Sequence, residues 1–445
     1  MIKRPINAIL LASVILMTGC SDTEATTKAT DPQIGNEVVS TVDVQQNEIA
    51  ALWAKDIDHL YKELKSTHKG LYDHVSETTL TAEFELLKNR ADNLSLVEFK
   101  FELMRIVAMI GDSHTIYSGL QDLTETVLPL KFVTIEGSIY CVNATKEYED
   151  LLFKEIVKFD DTPTDAVIYE LEQLIPSENE YWDEYIATTW IRIPDISEAL
   201  GLIDTKEQVT LTYLDGSDLK SVDVITEDFE QKSKIEYVID GYVNNLVGTM
   251  DKIDKKNYSF EYDDENKIVI VHYDECWPEP DYTFDQFTEE VWSFIDNNDV
   301  DKLVIDLRYN TGGDSGLFDP FRKKLAKSKK LNQPDKSYVL IGNRTFSSGT
   351  DNAAVLRRLT NSTLIGEPTG GTPNGYGNSG PKVIIELPNV GGEVQCTNKY
   401  FEFDPGTGLQ TVIPDVIIEK AIEDYVNSRD KCMEYVIDDL VVGTL

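Results

Sequence analysis

The sequence is short of positive charge, of histidine and of clustered cysteine. Its 445 residues hold 41 Lys and Arg against 79 Asp and Glu, a formal net charge of −38. Phosphate backbones demand a basic footprint, so nucleic acid is excluded as a partner. The acid is spread along the chain rather than gathered in a tail, as befits a solvated surface. Five cysteines (Cys20, Cys141, Cys276, Cys396, Cys432) lie far apart with no CxxC pair and no Cys/His cluster. No zinc site is suggested, and the spacing selects no disulfide pairing. Only five histidines (His59, His68, His74, His114, His272) are available to move a proton near neutral pH.

A long apolar run is also missing. Near the N-terminus Ile9–Met17 follows Lys3 and Arg4 and ends in Met17-Thr18-Gly19-Cys20. It is shorter than a membrane span and has the layout of a signal peptide over residues 1–19. Cys20 directly after Gly19 resembles a bacterial lipoprotein cleavage site, although Met17 stands where such sites usually carry Leu. The resemblance implies lipid attachment at Cys20 and a place in the cell envelope. Ser21 implies the outer membrane if the host has two membranes.

Residues 20–46 are rich in Thr, Asp, Glu and Gln and are expected to form a flexible tether. Helical spacing begins at Asn47, with apolar faces in Ala51–Leu64, Leu80–Leu87 and Leu96–Ile110. A small helical domain is therefore expected over 47–125. Its last helix stops at Gly111, leaving His114 in the loop Gly111-Asp112-Ser113-His114-Thr115. A loop histidine beside a helix breaker is a candidate for proton transfer, and equally a surface histidine.

Residues 126–235 change character. Short strands are expected at Leu130–Ile135, Ser138–Val142, Glu155–Phe159, Gln208–Tyr213 and Lys220–Ile225, with one helix at Asp165–Leu174. The arrangement resembles a divergent PDZ domain without its usual carboxylate-binding loop. From about 236 to 445 strands alternate with helices: Lys267–Tyr273, Phe284–Asn297, Lys302–Leu307, Phe318–Leu325, Tyr338–Ile341, Gly349–Leu359, Leu364-Ile365 and Lys382–Leu387. This rhythm predicts a mostly parallel sheet, with loops meeting at the carboxyl ends of its strands.

One such loop is Phe346-Ser347-Ser348-Gly349, between a buried strand and a helix. A serine there ordinarily caps the helix. It could instead attack a carbonyl while the free N–H groups of the helix end hold the oxyanion. Four segments then matter. Leu303–Gly313 (LVIDLRYNTGG) resembles the "DLRxNxGG" loop of the tail-specific, or C-terminal processing, serine peptidases. Thr345–Asn352 and Leu364–Gly371 resemble that family's nucleophile segment and "GEPTGG" loop, and Ile413-Pro414-Asp415-Val416 its late "PD" motif.

The resemblance implies an α/β catalytic domain of the ClpP/crotonase-like spiral type behind the PDZ-like and helical domains. It implies Ser347 as nucleophile, with Ser348 the alternative. The N–H groups of Ser348 and of Gly312 or Gly313 would hold the oxyanion. Many members use a lysine base two residues after the position of Gly370, but Thr372 stands there. The branch resembling the tricorn core protease uses a serine-preceded histidine, which here implies His114 as base and Ser113 as its supporting hydroxyl. An acid near Glu402–Asp404 would complete the set, Asp404 before Glu402, with Glu367 structural. The activity so implied is acyl-enzyme cleavage of peptides or protein tails, with no metal or cofactor. An inactive relative that binds peptides or apolar ligands, or a purely structural lipoprotein, is the alternative. Oligomeric state is open.

Overall fold

The computed structural model describes residues 41–120, 124–239 and 256–438. The leader, Cys20 and most of the tether lie outside the described residues. The chain divides into Met1–Val44 and a compact unit, Gln45–Leu445. Of the first, only its last four residues are described, and they are helical. The helix Thr41–Thr67 thus begins inside the stretch expected to be tether.

The helical region follows its sequence signals. Glu77–Arg90 starts at Ser76, whose hydroxyl accepts from the Thr79 N–H, and Leu96–Ala108 starts with a capping box between Ser95 and Glu98. Their apolar faces share one core with the following β-rich stretch. That stretch is an antiparallel sheet in the order Leu130–Ile135, Ser138–Ala144, Glu155–Phe159, Gln208–Asp215, Asp218–Ile225. The expected helix is present as Thr164–Glu172. Two more, Glu180–Trp190 and Pro194–Ala199, were not expected.

The second half is built on a six-stranded sheet, in the order Tyr258–Asp263, Ile268–Tyr273, Lys302–Asp306, Ser337–Ile341, Thr363–Gly366, Val416–Ile417. Its first pair is antiparallel and the other four are parallel. Consecutive parallel strands lie side by side in chain order, so right-handed crossovers place all three connecting helices on one face. Phe284–Asn297, Asp319–Lys327 and Ser348–Leu359 indeed bury Phe287, Phe321 and Ala353 against Val269, Ile305 and Val339. The alternate residues Ile270, Val304 and Leu340 face the other way, against Cys432 and Val436 of Lys431–Asp438.

The strand expected at Lys382–Leu387 forms, as Val383–Glu386, but not in this sheet. It pairs with Glu393–Cys396, which also takes Ile116–Tyr117 from the early part of the chain. Asp56, 3% exposed, accepts from the Asn389 and Val390 N–H groups at the tip of that hairpin, at 2.7 and 2.8 Å. A buried carboxylate with two such bonds is worth several ordinary hydrogen bonds. The hairpin therefore clamps the helical region to the second half of the chain. Cys141, Cys276, Cys396 and Cys432 are buried free thiols.

Candidate active site

Ser337–Ile341 is buried throughout, and the chain leaving it turns sharply before the helix Ser348–Leu359. Ser347 occupies the turn at φ 50°, ψ −127°, a conformation that costs a non-glycine residue about 1–3 kcal/mol. Its side chain makes no capping bond. Thr345 holds the turn: its hydroxyl donates to Leu307 O at 2.8 Å and accepts from the Gly342 N–H at 3.0 Å. The Phe346 N–H donates to Asn310 O at 2.9 Å, and the Gly371 N–H to Thr345 O at 3.0 Å. The loops after three strand ends, carrying Asn310, Ser347 and Gly371, are thus tied to each other through this bend. Neither glycine contact tolerates a side chain: a Cβ on Gly312 would lie 2.6 Å from Ser347 Cβ, and one on Gly371 2.8 Å from Ser347 N.

The two serines are not equivalent. Ser348 Oγ donates to Gly313 O at 2.8 Å. Ser347 Oγ lies 3.0 Å from His114 Nε2. The loop expected to carry a proton-transferring histidine is delivered there by the residues after it. Ile116–Tyr117 pairs with Glu393–Cys396, Gln395 Nε2 donates to His114 O at 3.0 Å, and Thr397 Oγ1 donates to Asp112 Oδ2 at 2.7 Å. Phe346 stacks on the imidazole with centroids 4.9 Å apart and 14° between planes, and Trp182 in turn stacks on Phe346 at 3.8 Å and 10°. Trp182, from the unexpected helix Glu180–Trp190, fixes the plane of the ring through Phe346.

Burial lowers the His114 pKa from its ordinary value of 6.5; Asp112 opposes the shift and Lys382 adds to it. The ring is therefore neutral at neutral pH. With its proton on Nδ1 it donates to Ser113 Oγ, 3.3 Å away, and Nε2 is free to accept from Ser347. Behind Ser113 lies Glu178, whose Oε1 accepts the Ser113 N–H at 3.1 Å. Burial, then the charge of Asp112, pushes the Glu178 carboxyl up to about 8. Asp112 is different. Burial pushes it up as well, but hydrogen bonds led by His68 hold it below the usual carboxylate range. His68 Nε2 and Thr115 Oγ1 reach Oδ2 at 2.9 and 2.6 Å, and the His114 N–H reaches Oδ1 at 2.9 Å. Asp112 is thus the fixed negative charge beside the ring, while Glu178 is protonated at neutral pH.

Two donors stand ready at the serine. The Gly312 N–H is taken by Asn310 Oδ1 at 2.9 Å. The Gly313 and Ser348 N–H groups have no hydrogen-bond partner among the described residues.

Asp404 is not brought to His114. Its backbone brackets Asn374, the N–H donating to Asn374 Oδ1 at 3.0 Å and the carbonyl accepting from Nδ2 at 2.8 Å. Glu402 ends the exposed strand Lys399–Glu402, and Glu367 pairs with Lys420 at 2.8 Å. Thr372 donates to Asn374 O at 2.9 Å. The acids at the ring are Asp112 and Glu178, which sequence reasoning did not assign. Asp112 was signalled only by standing two residues before His114. Glu178 precedes Asn179, whose side chain accepts from the Tyr181 and Trp182 N–H groups as a helix cap. That capping residue before Glu180 and Asp183 was the available sign. Asp112, His114 and Glu178 also present ligand atoms within 4.8 Å of one another. A cation there would compete with the four donors already on Asp112.

No protein-family model and no curated protein matches the sequence. Solved structures do share its fold. Mature CPAF complexed with lactacystin superposes with a TM-score of 0.60 at 13% identity, covering 88% of this chain and 100% of the other. Mature CPAF alone gives 0.59 at 12% identity, covering 89% and 99%. The chain has the mixed α/β fold of mature CPAF. The photosystem II D1 C-terminal processing protease aligns over 86% of this chain and 94% of its own at 12% identity, with a lower TM-score of 0.40.

The direction of the His114 shift sets a pH dependence. Acylation of Ser347 by a fluorophosphonate requires neutral imidazole, so its rate falls as pH drops through the His114 pKa. The midpoint of that acidic limb is expected below 6.5, the ordinary histidine value. Rate measurements from pH 4 to 8 check it, and a midpoint above 6.5 contradicts the burial argument.

Proposed function

We propose that the chain is a serine hydrolase that cleaves peptide bonds through an acyl-enzyme, with Ser347 as nucleophile and His114 as general base. One observation carries this: Ser347, strained and uncapping, points its hydroxyl at a neutral imidazole 3.0 Å away. His114 Nε2 takes the Ser347 proton as Oγ bonds to the substrate carbonyl carbon. The negative oxygen is held by the N–H groups of Gly313 and Ser348. The imidazolium is stabilised by Asp112 and oriented by Ser113, with Glu178 behind it. It then protonates the leaving amine, and water attacks the acyl-enzyme by the reverse path.

The four motifs resembling the tail-specific peptidases support a peptide or unfolded protein tail as substrate. They also support the ClpP/crotonase-like and PDZ-like descriptions of the two sheets. The same resemblance favours the histidine-based branch, since Thr372 replaces the usual lysine. Gly19-Cys20 supports a lipid-tethered protein of the cell envelope; among the described residues no helix is long and apolar enough to cross a membrane.

Two experiments test the proposal. Ser347→Ala is expected to abolish fluorophosphonate labelling and to lower casein cleavage by about 10⁴-fold or more, while Ser348→Ala retains labelling. Labelling of Ser347→Ala equal to wild type rejects the nucleophile. For the anchor, Cys20→Ala expressed with its leader is expected to lose palmitate incorporation and leave the membrane fraction. Continued incorporation rejects lipid attachment at that residue.

A further inference from the structure

Beneath the C-terminal segment lies a solvent-open cavity of about 110 Å³ that does not include Ser347 among its walls. It opens at the carboxyl ends of the parallel strands, where ligands of such sheets collect. The turn Ile341–Arg344, the pair Arg308-Tyr309 and the segment around Ile418 and Tyr425 enclose it.

Nearly every cation on its wall is already matched. Arg308 is held by Asp306 and Asp430 at 2.7 and 2.9 Å, and Lys420 by Glu367 at 2.8 Å. Lys431 is held by Asp424 at 2.8 Å and Arg429 by Glu434 at 2.6 Å. Arg344 is the exception: among the described residues it has no ion-pair partner. Its Nε is enclosed without any hydrogen-bond acceptor, and the Tyr309 ring stands 5.8 Å from the guanidinium carbon. Acids outnumber bases 79 to 41 in this chain. A half-buried arginine left without one is therefore not short of potential partners.

We infer that this cavity binds the carboxylate of a small apolar or aromatic acid, with Arg344 as its charge partner. A guanidinium fork matches a carboxylate in two parallel hydrogen bonds. Ile341, Ile418 and the rings of Tyr309 and Tyr425 suit a flat apolar body. The acids already on the wall, with exposed Glu419 at the rim, oppose a second negative charge, so a monoanion fits better than a phosphate dianion. The carboxylate could belong to a free acid or to a peptide terminus. Arg344 stands three residues before Ser347, a Cα separation of at most about 11 Å. The inference goes beyond the hydrolase proposal and does not depend on it.

Calorimetric titration of the full chain with benzoate, N-acetylphenylalanine and N-acetylphenylalanine amide tests it. At least one acid is expected to bind, and the amide at least about tenfold more weakly than its acid, since the charge-assisted bonds are lost. Arg344→Gln weakens acid binding by about tenfold or more, and Arg344→Lys, which keeps charge but not the fork, falls between. Ser347→Ala binds as wild type, which separates this site from the proposed catalysis. Benzoate binding alone assigns a free acid, and tighter N-acetylphenylalanine binding assigns a chain terminus. The inference is overturned if the amide binds as well as the acid, or if neither acid binds up to about 10 mM. It is equally overturned if Arg344→Gln matches wild type; should that variant not fold, equality of Arg344→Lys with wild type counts the same.

Discussion

A single hydrogen bond between His114 and Ser347 closes a sequence separation of 233 residues. Loop-closure entropy for that length is about 5 kcal/mol. One hydroxyl–imidazole bond returns about 1 kcal/mol, so it cannot hold the two segments together itself. The stabilisation comes from elsewhere, through the hairpin Val383–Glu386 and Glu393–Cys396. Its second strand pairs with Ile116–Tyr117, Thr397 bonds Asp112, and Asn389 and Val390 bond Asp56. Apolar residues of the same hairpin, Ile385, Val394 and Cys396, join the core of the helical region. The serine and histidine meet because these contacts place both, not because they attract one another.

The electrostatics of the site run against those of the whole. A chain with net charge −38 favours protonated histidine on average. At His114 burial outweighs that field and the nearby Asp112, and the ring stays neutral. The acids are sorted in the same way. Asp112 stays charged because its oxygens receive hydrogen bonds from His68, Thr115, Thr397 and the His114 N–H. Glu178, with Oε2 buried and unpaired, is held protonated. Two carboxyl groups near one imidazole thus differ in charge: Asp112 is placed to stabilise an imidazolium, while neutral Glu178 adds no second negative charge beside it.

Much of this was legible in the chain. Strand and helix periods located the parallel sheet and its three helices, and the loops at the strand ends supplied Ser347, Gly312 and Gly313. His114 stood out because few histidines exist and one follows a helix breaker. The surroundings of His114 were less legible, since Phe346 and Glu178 come to it from distant segments by tertiary packing, and Trp182 acts only through Phe346. Tyr181, Trp182, Tyr185 and Ile186 pack a helix that lacks the regular apolar stripe of Leu96–Ala108, so no period announced it. Asp404 was favoured from a motif position, yet its backbone is committed to Asn374. A position in a sequence pattern does not say which way a loop faces. Likewise Val383–Glu386 has strand alternation, but only the fold reveals that its sheet belongs to His114 rather than to the serine helix.

The measurement closest to the central claim is the second-order rate of Ser347 acylation by a fluorophosphonate in His114→Ala against wild type, with circular dichroism confirming that both are folded. If the imidazole activates the serine, the rate falls by about 10³-fold or more and does not recover as pH rises from 5 to 8. An unchanged rate in a folded variant would mean that the 3.0 Å contact is structural and that Ser347 is activated, if at all, by some other group.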